Sequence, residues 1–369
     1  NDTLVIAISQ SGTTTDTNRS VDMARACGAH CLAIVNRRDS DLTGKVHGVL
    51  YTSTGRDIEM SVASTKAFYA QIAAGAVLGL FLSELLDRRT PAYITGEIEQ
   101  LLALPDKMRT VLNLREEIGA SAKQLATRKT YWAAVGSGPN KAAADEIRIK
   151  LSELCYKTIS SDFVEDKKHI DLSSEPLIIV CAAGTRPAVQ NDLVKDTAIF
   201  KAHKACPVVI ADAGDDRFAP HAEYVIHVPA VAEHLAPVIN TMVGHLWGYY
   251  AALSIQEGSR FFFGFREALR GAIDDFNGQG LDVYEIVLEK KFREQIADYY
   301  ARFRDKKRQH VFPDSLGGNL FSDLTLLFKY LSGRLPVTDF EFDFGRRGTA
   351  RNLIDTFFEC LDQAINFLA

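Results

Sequence analysis

Short apolar runs along this chain alternate with stretches in which apolar residues recur at helical spacing. Residues 4–8 form the first apolar run, and a hydroxyl-rich turn follows at residues 9–14. Beyond the turn the helical spacing continues to Gly28, which is placed to end a helix. A second apolar run follows at residues 31–36. This order predicts a β-strand, a turn, an α-helix and a second, parallel strand.

The same pattern occurs again about 175 residues further along the chain. The first copy adds a third predicted strand at residues 48–53, and the second copy has predicted strands at 177–181, 206–212 and 223–228. Mainly apolar strands that alternate with helices predict an α/β fold with two doubly wound parallel sheets, three-layer αβα and flavodoxin-like. Only the second copy has an extra opening strand, at 130–135. The first copy is therefore expected to lack its opening strand and helix.

The pattern predicts four regions: a first α/β domain at 1–96, a helical linker at 97–128, a second α/β domain at 129–257 and a mostly helical extension of unknown role at 258–369. Within the extension, residues 284–308, 320–331 and 350–368 have helical spacing. The longest apolar run, residues 72–82, is shorter than a bilayer-spanning helix and predicts a buried helix.

The net charge and the cysteine spacing argue against several kinds of binding site. The net charge of −5 gives no basic surface for nucleic acid or an anionic membrane. The six cysteines are scattered, and Cys27 and Cys31 lack the second Cys/His pair of a zinc site. We therefore expect buried free thiols in a cytoplasmic protein, with no metal site, no cofactor and neither nucleic acid nor membrane as a partner.

The first turn carries groups that bind a phosphate, in the order Ser9-Gln10-Ser11-Gly12-Thr13-Thr14. Hydroxyl groups and the N–H groups of a helix N-terminus both donate to an anion, and the helix dipole favours negative charge. Without a lysine or nucleotide P-loop spacing, the turn favours one phosphate on a small molecule. Alternatively, these residues only cap the helix. The matching turn of the second copy, residues 182–186, has almost no hydroxyl groups, so only the first copy is expected to bind phosphate.

The turn resembles the phosphate loop of the SIS (sugar isomerase) domain family, whose motif reads Ser-Gln-Ser-Gly-x-Thr-x-Asp-Thr. A second string at residues 62–68, Val-Ala-Ser-Thr-Lys-Ala-Phe, resembles another motif of that family. Over residues 1–255 the chain resembles the isomerase half of the glutamine–fructose-6-phosphate amidotransferase family. This resemblance implies two SIS domains and a hexose 6-phosphate bound by Ser9, Gln10, Ser11, Gly12, Thr14, Val62 and Ser64.

The second copy carries the groups suited to acid–base chemistry. Lys150 and Glu153 lie three residues apart on a helix predicted at 145–156, where an exposed ion pair is the ordinary interpretation. His169 ends a polar segment, 160–169, and by itself would be an ordinary loop residue. Together they resemble the isomerase pattern Lys-Leu-x-Glu-x-x-Tyr followed by a loop ending in Lys-His. The resemblance implies that Glu153 moves a proton between C1 and C2 through a cis-enediol, that Lys150 orients the sugar or Glu153, and that His169 opens the sugar ring.

The resemblance also implies conversion of fructose 6-phosphate to glucosamine 6-phosphate, a homodimer with His169 acting in the partner's site, and a glutaminase domain in the full-length protein. Three features depart from the family. Ile170 and Asp171 follow the histidine where the family has Gly-Pro, and the extension has no family counterpart. The tail lysine of the family has no match, since the nearest string, residues 351–355, has Asp355 at that position and is a chance likeness. Because the opening strand and helix of the first copy, the tail lysine and a glutaminase nucleophile are missing from these residues, we expect this chain alone to bind its ligand but to turn over weakly or not at all. The alternative function is a non-catalytic regulatory module that binds a sugar phosphate.

Overall fold

The computed structural model describes residues 2–53, 64–169, 172–313 and 316–368. The chain forms two compact units, Asn1–Leu112 and Asn113–Ala369. Each contains a parallel sheet with helices, which confirms the predicted α/β class.

The first unit has three parallel strands in the order β1-β2-β3. Its elements are β1 Leu4–Ser9, α1 Thr15–Ala26, β2 His30–Val35, β3 Gly48–Tyr51, α2 Lys66–Leu85 and α3 Pro91–Asn113. Helix α1 ends before Gly28, whose φ of +82° suits the predicted stop. The carboxyl ends of β1 and β2 lie side by side, with Ser9 opposite Val35.

Strand β1 differs on its two faces. Ala7 packs with Val21, Cys31 and other apolar residues in a small core. On the other face Leu4, Ile6 and Ile8 are exposed. Among the described residues β1 pairs only with β2, so it is an edge strand of this sheet.

Helix α2 is the predicted buried helix, and that prediction is wrong. Only Ala67 and Leu78 of its 20 residues are buried, because the small three-stranded sheet covers little of its apolar surface. By length and composition α2 is apolar enough to cross a membrane, with 6% of its apolar window buried. A single helix of this kind is weak evidence for a membrane span.

The second unit has five parallel strands in the order β5-β4-β6-β7-β8. Its strands are β4 Trp132–Gly136, β5 Ile159–Phe163, β6 Leu177–Cys181, β7 Cys206–Asp212 and β8 Tyr224–Val228. Its helices are α4 Arg115–Leu125, α5 Asn140–Cys155, α6 Val164–Lys167, α7 Pro187–Ala202, α8 Ala236–Gly278, α9 Val283–Leu288, α10 Lys290–Arg308, α11 Gly318–Leu331, α12 Phe340–Phe344 and α13 Ala350–Leu368.

Helices cover both faces of this five-stranded sheet. On one face Ala133 and Val135 pack with Phe200 of α7 and with Phe218. On the other face α5 and α8 cover β4, where the rings of Trp132 and Trp247 meet edge to face at 5.2 Å. Every residue of β4 and β6 is buried, as expected for central strands of a parallel sheet.

Three further local predictions need correction. The polar segment 160–169, expected as a loop, contains β5 and α6, because an edge strand tolerates polar residues on its open side. The helix predicted at 284–308 is two helices, divided at Glu289, whose ψ of 129° is extended. Cys27 is exposed whereas the other five cysteines are buried, since Cys27 lies in the turn that ends α1.

Helix α8 is 43 residues long and joins the sheet to the helical extension without a break. Phe262 and Phe265 near its far end pack with Phe303, Phe328 and Phe357 in a core rich in phenylalanine. The predicted domain boundary at 257/258 lies inside this helix, and the domain boundaries stay a prediction.

Candidate functional site

The predicted phosphate loop is a turn held from behind by its own polar groups. The Gly12 N–H donates to the buried Ser9 Oγ at 3.0 Å. The buried Asn18 Nδ2 donates to the carbonyl oxygens of Gly12 and Thr14 at 3.1 and 3.0 Å. Gly12 has a φ of +66°, a left-handed conformation that glycine adopts at little cost. These contacts fix the turn, and Ser11 Oγ also accepts the Thr13 N–H at 3.3 Å.

The start of α1 is open to a ligand. Thr14 occupies the N-cap position, yet its side chain makes no capping hydrogen bond. Ser11 Oγ lies 2.9 Å from Thr13 Oγ1 on the outer side of the turn. The helix-capping interpretation of these hydroxyl groups is therefore not supported at Thr14. The N–H groups of the first helical turn remain suited to an anion.

Gln10 links this loop to helix α2. Its backbone carbonyl accepts a hydrogen bond from the Arg37 N–H at 3.3 Å. Its side-chain Oε1 accepts one from Gln71 Nε2 at 3.5 Å. Ser64 is half-buried and lies two residues before α2, whereas Val62 lies outside the described residues. The second motif therefore leads into a helix that contacts the phosphate loop.

The corresponding turn of the second unit already holds carboxylates of the protein itself. The Gly184 N–H donates to both carboxylate oxygens of Asp212 at 3.0 and 3.1 Å. Arg186 Nε donates to both oxygens of Glu233 at 2.7 Å. Burial raises the pKa of Asp212, against the lowering effect of the Gly184 N–H, and nearby Asp215 raises it further. These carboxylates occupy donors that a phosphate would need, which supports phosphate binding by the first unit alone.

Lys150 and Glu153 lie together on α5. Lys150 is 5% exposed, and its Nζ lies 3.7 Å from Glu153 Oε2. The side chain of Glu153 is 35% exposed. The pair is therefore not a solvated surface ion pair: the cation is buried and the carboxylate faces outward, where a ligand can reach it.

Two residues that the sequence analysis missed complete this cluster. Glu146 Oε1 lies 3.3 Å from Lys150 Nζ and 3.2 Å from His245 Nε2. Both Glu146 and His245 are mostly buried. The spacing of four residues between Glu146 and Lys150 was the available signal. His245 lies on α8, and no local pattern connects it to α5.

The electrostatics of Glu146 follow from these contacts. Burial alone raises its pKa, but the hydrogen bond with His245 and the charge of Lys150 outweigh burial, so the pKa of Glu146 is below its ordinary value of 4.5. Glu146 therefore stays ionised at neutral pH and stabilises the buried ammonium group of Lys150.

Glu146→Gln is expected to make the free energy of unfolding depend less on pH in the acid range. Because its folded-state pKa is lowered, ionised Glu146 stabilises the fold above about pH 4.5, and this contribution is lost as the pH falls through the folded-state pKa. The difference in free energy of unfolding between wild type and variant should therefore shrink below that pH. Urea unfolding at a series of acidic to neutral pH values measures it, and a difference independent of pH would contradict the assignment.

His169 is exposed and follows α6, with its backbone N–H bonded to the Asp166 carbonyl at 3.0 Å. Two lysines anchor this segment. Lys167 is buried and lies 3.6 Å from Asp162 Oδ2, and Lys168 Nζ donates to Asp196 at 2.9 Å. The imidazole of His169 therefore stands at the surface of a short, well-anchored segment.

Comparison with known proteins identifies the first part of the chain. The family model of the SIS domain matches residues 1–80. The glutamine–fructose-6-phosphate aminotransferase (isomerizing) of Mycolicibacterium smegmatis is 35% identical over 245 residues, which cover 65% of this chain and 38% of that protein. Its counterpart from Methanosarcina acetivorans is 32% identical over 254 residues, covering 68% of this chain and 40% of that protein.

Solved structures share the fold. The C-terminal domain of glucosamine-fructose-6-phosphate aminotransferase from Francisella tularensis matches with a TM-score of 0.62 and 23% identity, over 68% of this chain and 71% of that chain. Tagatose-6-phosphate ketose/aldose isomerase from Escherichia coli matches with a TM-score of 0.53 and 17% identity, over 68% of each chain. The chain carries a SIS domain, which confirms the resemblance drawn from the motifs. It spans about two fifths of the length of the curated relatives it matches.

Proposed function

We propose that this chain, which carries a SIS domain, is a sugar-phosphate isomerase module that binds a hexose 6-phosphate and interconverts its ketose and aldose forms. The observation that carries the proposal is the geometry of α5. A buried lysine lies between a buried carboxylate, Glu146, and a more exposed one, Glu153. This arrangement leaves one carboxylate, held beside a fixed positive charge, accessible to substrate.

In the proposed complex, the first unit holds the phosphate. The N–H groups at the start of α1 and the hydroxyl groups of Ser11 and Thr14 donate to its oxygens. Ser9 and Gly12 shape the turn, because the Ser9 hydroxyl accepts the Gly12 N–H. Val62 and Ser64 contact the phosphate from the second motif.

The proposed chemistry needs one base acting on one face of the sugar. With the ring opened by His169, which transfers a proton to or from the ring oxygen, Glu153 removes the proton from C1 of the ketose. The C2 carbonyl oxygen takes a proton from water, which gives a cis-enediol. Glu153 then returns its proton to C2 while the C1 hydroxyl group releases its proton to water, and the product is the aldose. Lys150, whose Nζ lies 3.7 Å from Glu153 Oε2, orients Glu153 before the transfer.

The substrate, the product and the nitrogen source are proposed from the relatives. The named reaction of the curated relatives suggests fructose 6-phosphate as the substrate and glucosamine 6-phosphate as the product, with nitrogen from a glutaminase domain of the full-length protein. We further propose a cytoplasmic homodimer in which His169 enters the site of the partner subunit.

Ser11→Ala is expected to weaken hexose 6-phosphate binding by about 1.5–3 kcal/mol, because it removes one hydrogen bond to a charged group. Titration calorimetry with fructose 6-phosphate measures the change. Ser20→Ala is a matched control on the exposed side of α1, where the Ser20 hydroxyl donates only to the Asp16 carbonyl. Equal affinities for Ser11→Ala and wild type would contradict the phosphate site.

A further inference from the structure

A cavity of about 590 Å³ lies in the second unit, where helix α5 ends. Its walls come from the end of α5, the middle of α8, and Pro313 and α13 of the helical extension. Leu154 and Cys155, which directly follow Glu153, form part of this wall. The volume falls within the range of small-molecule sites. The proposed isomerase chemistry does not use this cavity.

The cavity walls are largely apolar. Helix α8 contributes Tyr249, Leu253 and Gln256, which lie on one face of the helix because they are spaced four and three residues apart. The last turn of α13 contributes Phe367 and Leu368. Tyr249, Leu253 and Phe367 are each more than 40% exposed. A ligand with an apolar body would cover them.

Lys157 is the one charged side chain among the described residues of the lining. Its Nζ donates to the carbonyl oxygens of Ala126 and Lys129 at 3.4 and 3.1 Å and lies 4.7 Å from the ring centre of Trp132. No carboxylate of the described chain forms an ion pair with it. Lys157 is half-buried, and burial lowers its pKa. Two of the three N–H donors of its ammonium group bind carbonyl oxygens, which leaves one for an anion.

We propose that this cavity binds a small amphipathic molecule that has an apolar body and one anionic group, a carboxylate or sulfonate, paired with Lys157. The apolar walls select the body, and the single cation selects one negative charge. The bound molecule would contact the residues that immediately follow Glu153 on α5. This site is separate from the proposed phosphate site, and its test does not depend on turnover.

The test is a fluorescence titration of the full chain with anilinonaphthalene sulfonate (ANS), a probe with an aromatic body and one sulfonate. We expect saturable binding to one site in wild type and about a tenfold weaker affinity in Lys157→Met, from the loss of a charge-assisted contact. Lys129→Met is the matched control, because the Lys129 side chain donates outside the cavity, to the Glu175 carbonyl. Leu253→Trp, which fills the cavity, should also abolish binding.

A competition experiment in wild type keeps the test independent of how the variants fold. Decanoate should displace ANS at a concentration at least about tenfold lower than decanol, since both have the same chain length and only decanoate is charged. Equal displacement by decanoate and decanol would overturn the proposal. So would unchanged ANS affinity in folded Lys157→Met, or binding that does not saturate.

Discussion

Replacing Glu153 with glutamine is expected to slow isomerisation of fructose 6-phosphate by about two to four orders of magnitude, the usual contribution of a general base. Glutamine keeps the shape of the side chain but cannot accept the proton from C1. Phosphate affinity should not change, because all the proposed phosphate contacts are made by the first unit. The result would separate a catalytic role of Glu153 from a structural one.

The measurement is formation of glucose 6-phosphate, with and without ammonia, together with incorporation of solvent deuterium into the sugar, which detects slow proton transfer. Asp145→Asn is the matched control: it removes a carboxylate of the same helix whose partners are Lys141 and Ser161. Full turnover in Glu153→Gln would contradict the mechanism. Wild-type binding without any deuterium incorporation would agree with the absence of turnover expected of this chain alone, and equally with the regulatory, non-catalytic alternative.

Gly12→Ala is expected to destabilise the first unit by about 2–4 kcal/mol and to weaken phosphate binding. A Cβ atom at Gly12 would lie 2.0 Å from Ser40 Oγ and 2.7 Å from Ser40 Cβ, so the turn would have to move. The φ of +66° adds strain, because residues with a side chain rarely adopt it.

Urea unfolding measures the loss of stability in Gly12→Ala, and calorimetry with fructose 6-phosphate measures the loss of binding. Gly75→Ala is the control, since Gly75 lies inside α2 and a Cβ there would meet no atom within 4 Å. That control should be neutral or slightly stabilising. The double variant Gly12→Ala with Ser40→Gly should recover the part of the loss that comes from the clash. A Gly12→Ala protein as stable as wild type would show that the turn is not constrained as described.

Local patterns were enough to predict the strand–turn–helix units, because each depends on neighbouring residues. The apolar run at residues 4–8 and the stop at Gly28 predicted β1 and the end of α1 in this way. The spacing of Lys150 and Glu153 placed them on one helix, and the structure brings their charged atoms within 4 Å. Their catalytic role came from the resemblance to a family and stays a prediction.

Features that depend on distant parts of the chain could not be predicted. His245 reaches Glu146 only because α8 packs on α5, and nothing near His245 in sequence indicates that contact. Likewise, the Asp212 carboxylate accepts the Gly184 N–H because β6 and β7 end side by side. The exposure of α2 depends on how much sheet is present to cover it, which its own composition does not reveal.

Helix α8 runs for about 65 Å through the second unit. In its first half it carries His245, which contacts Glu146, and beyond its midpoint it carries Phe262 and Phe265 in the core rich in phenylalanine. An unbroken helix resists bending, since a bend would strain its successive backbone hydrogen bonds. A shift of the phenylalanine-rich core along the helix axis would therefore move His245 relative to Glu146, which lies beside Lys150 on α5. One unbroken helix thus joins the core of the extension to the charge cluster, so we expect changes in the packing of the core to alter the cluster.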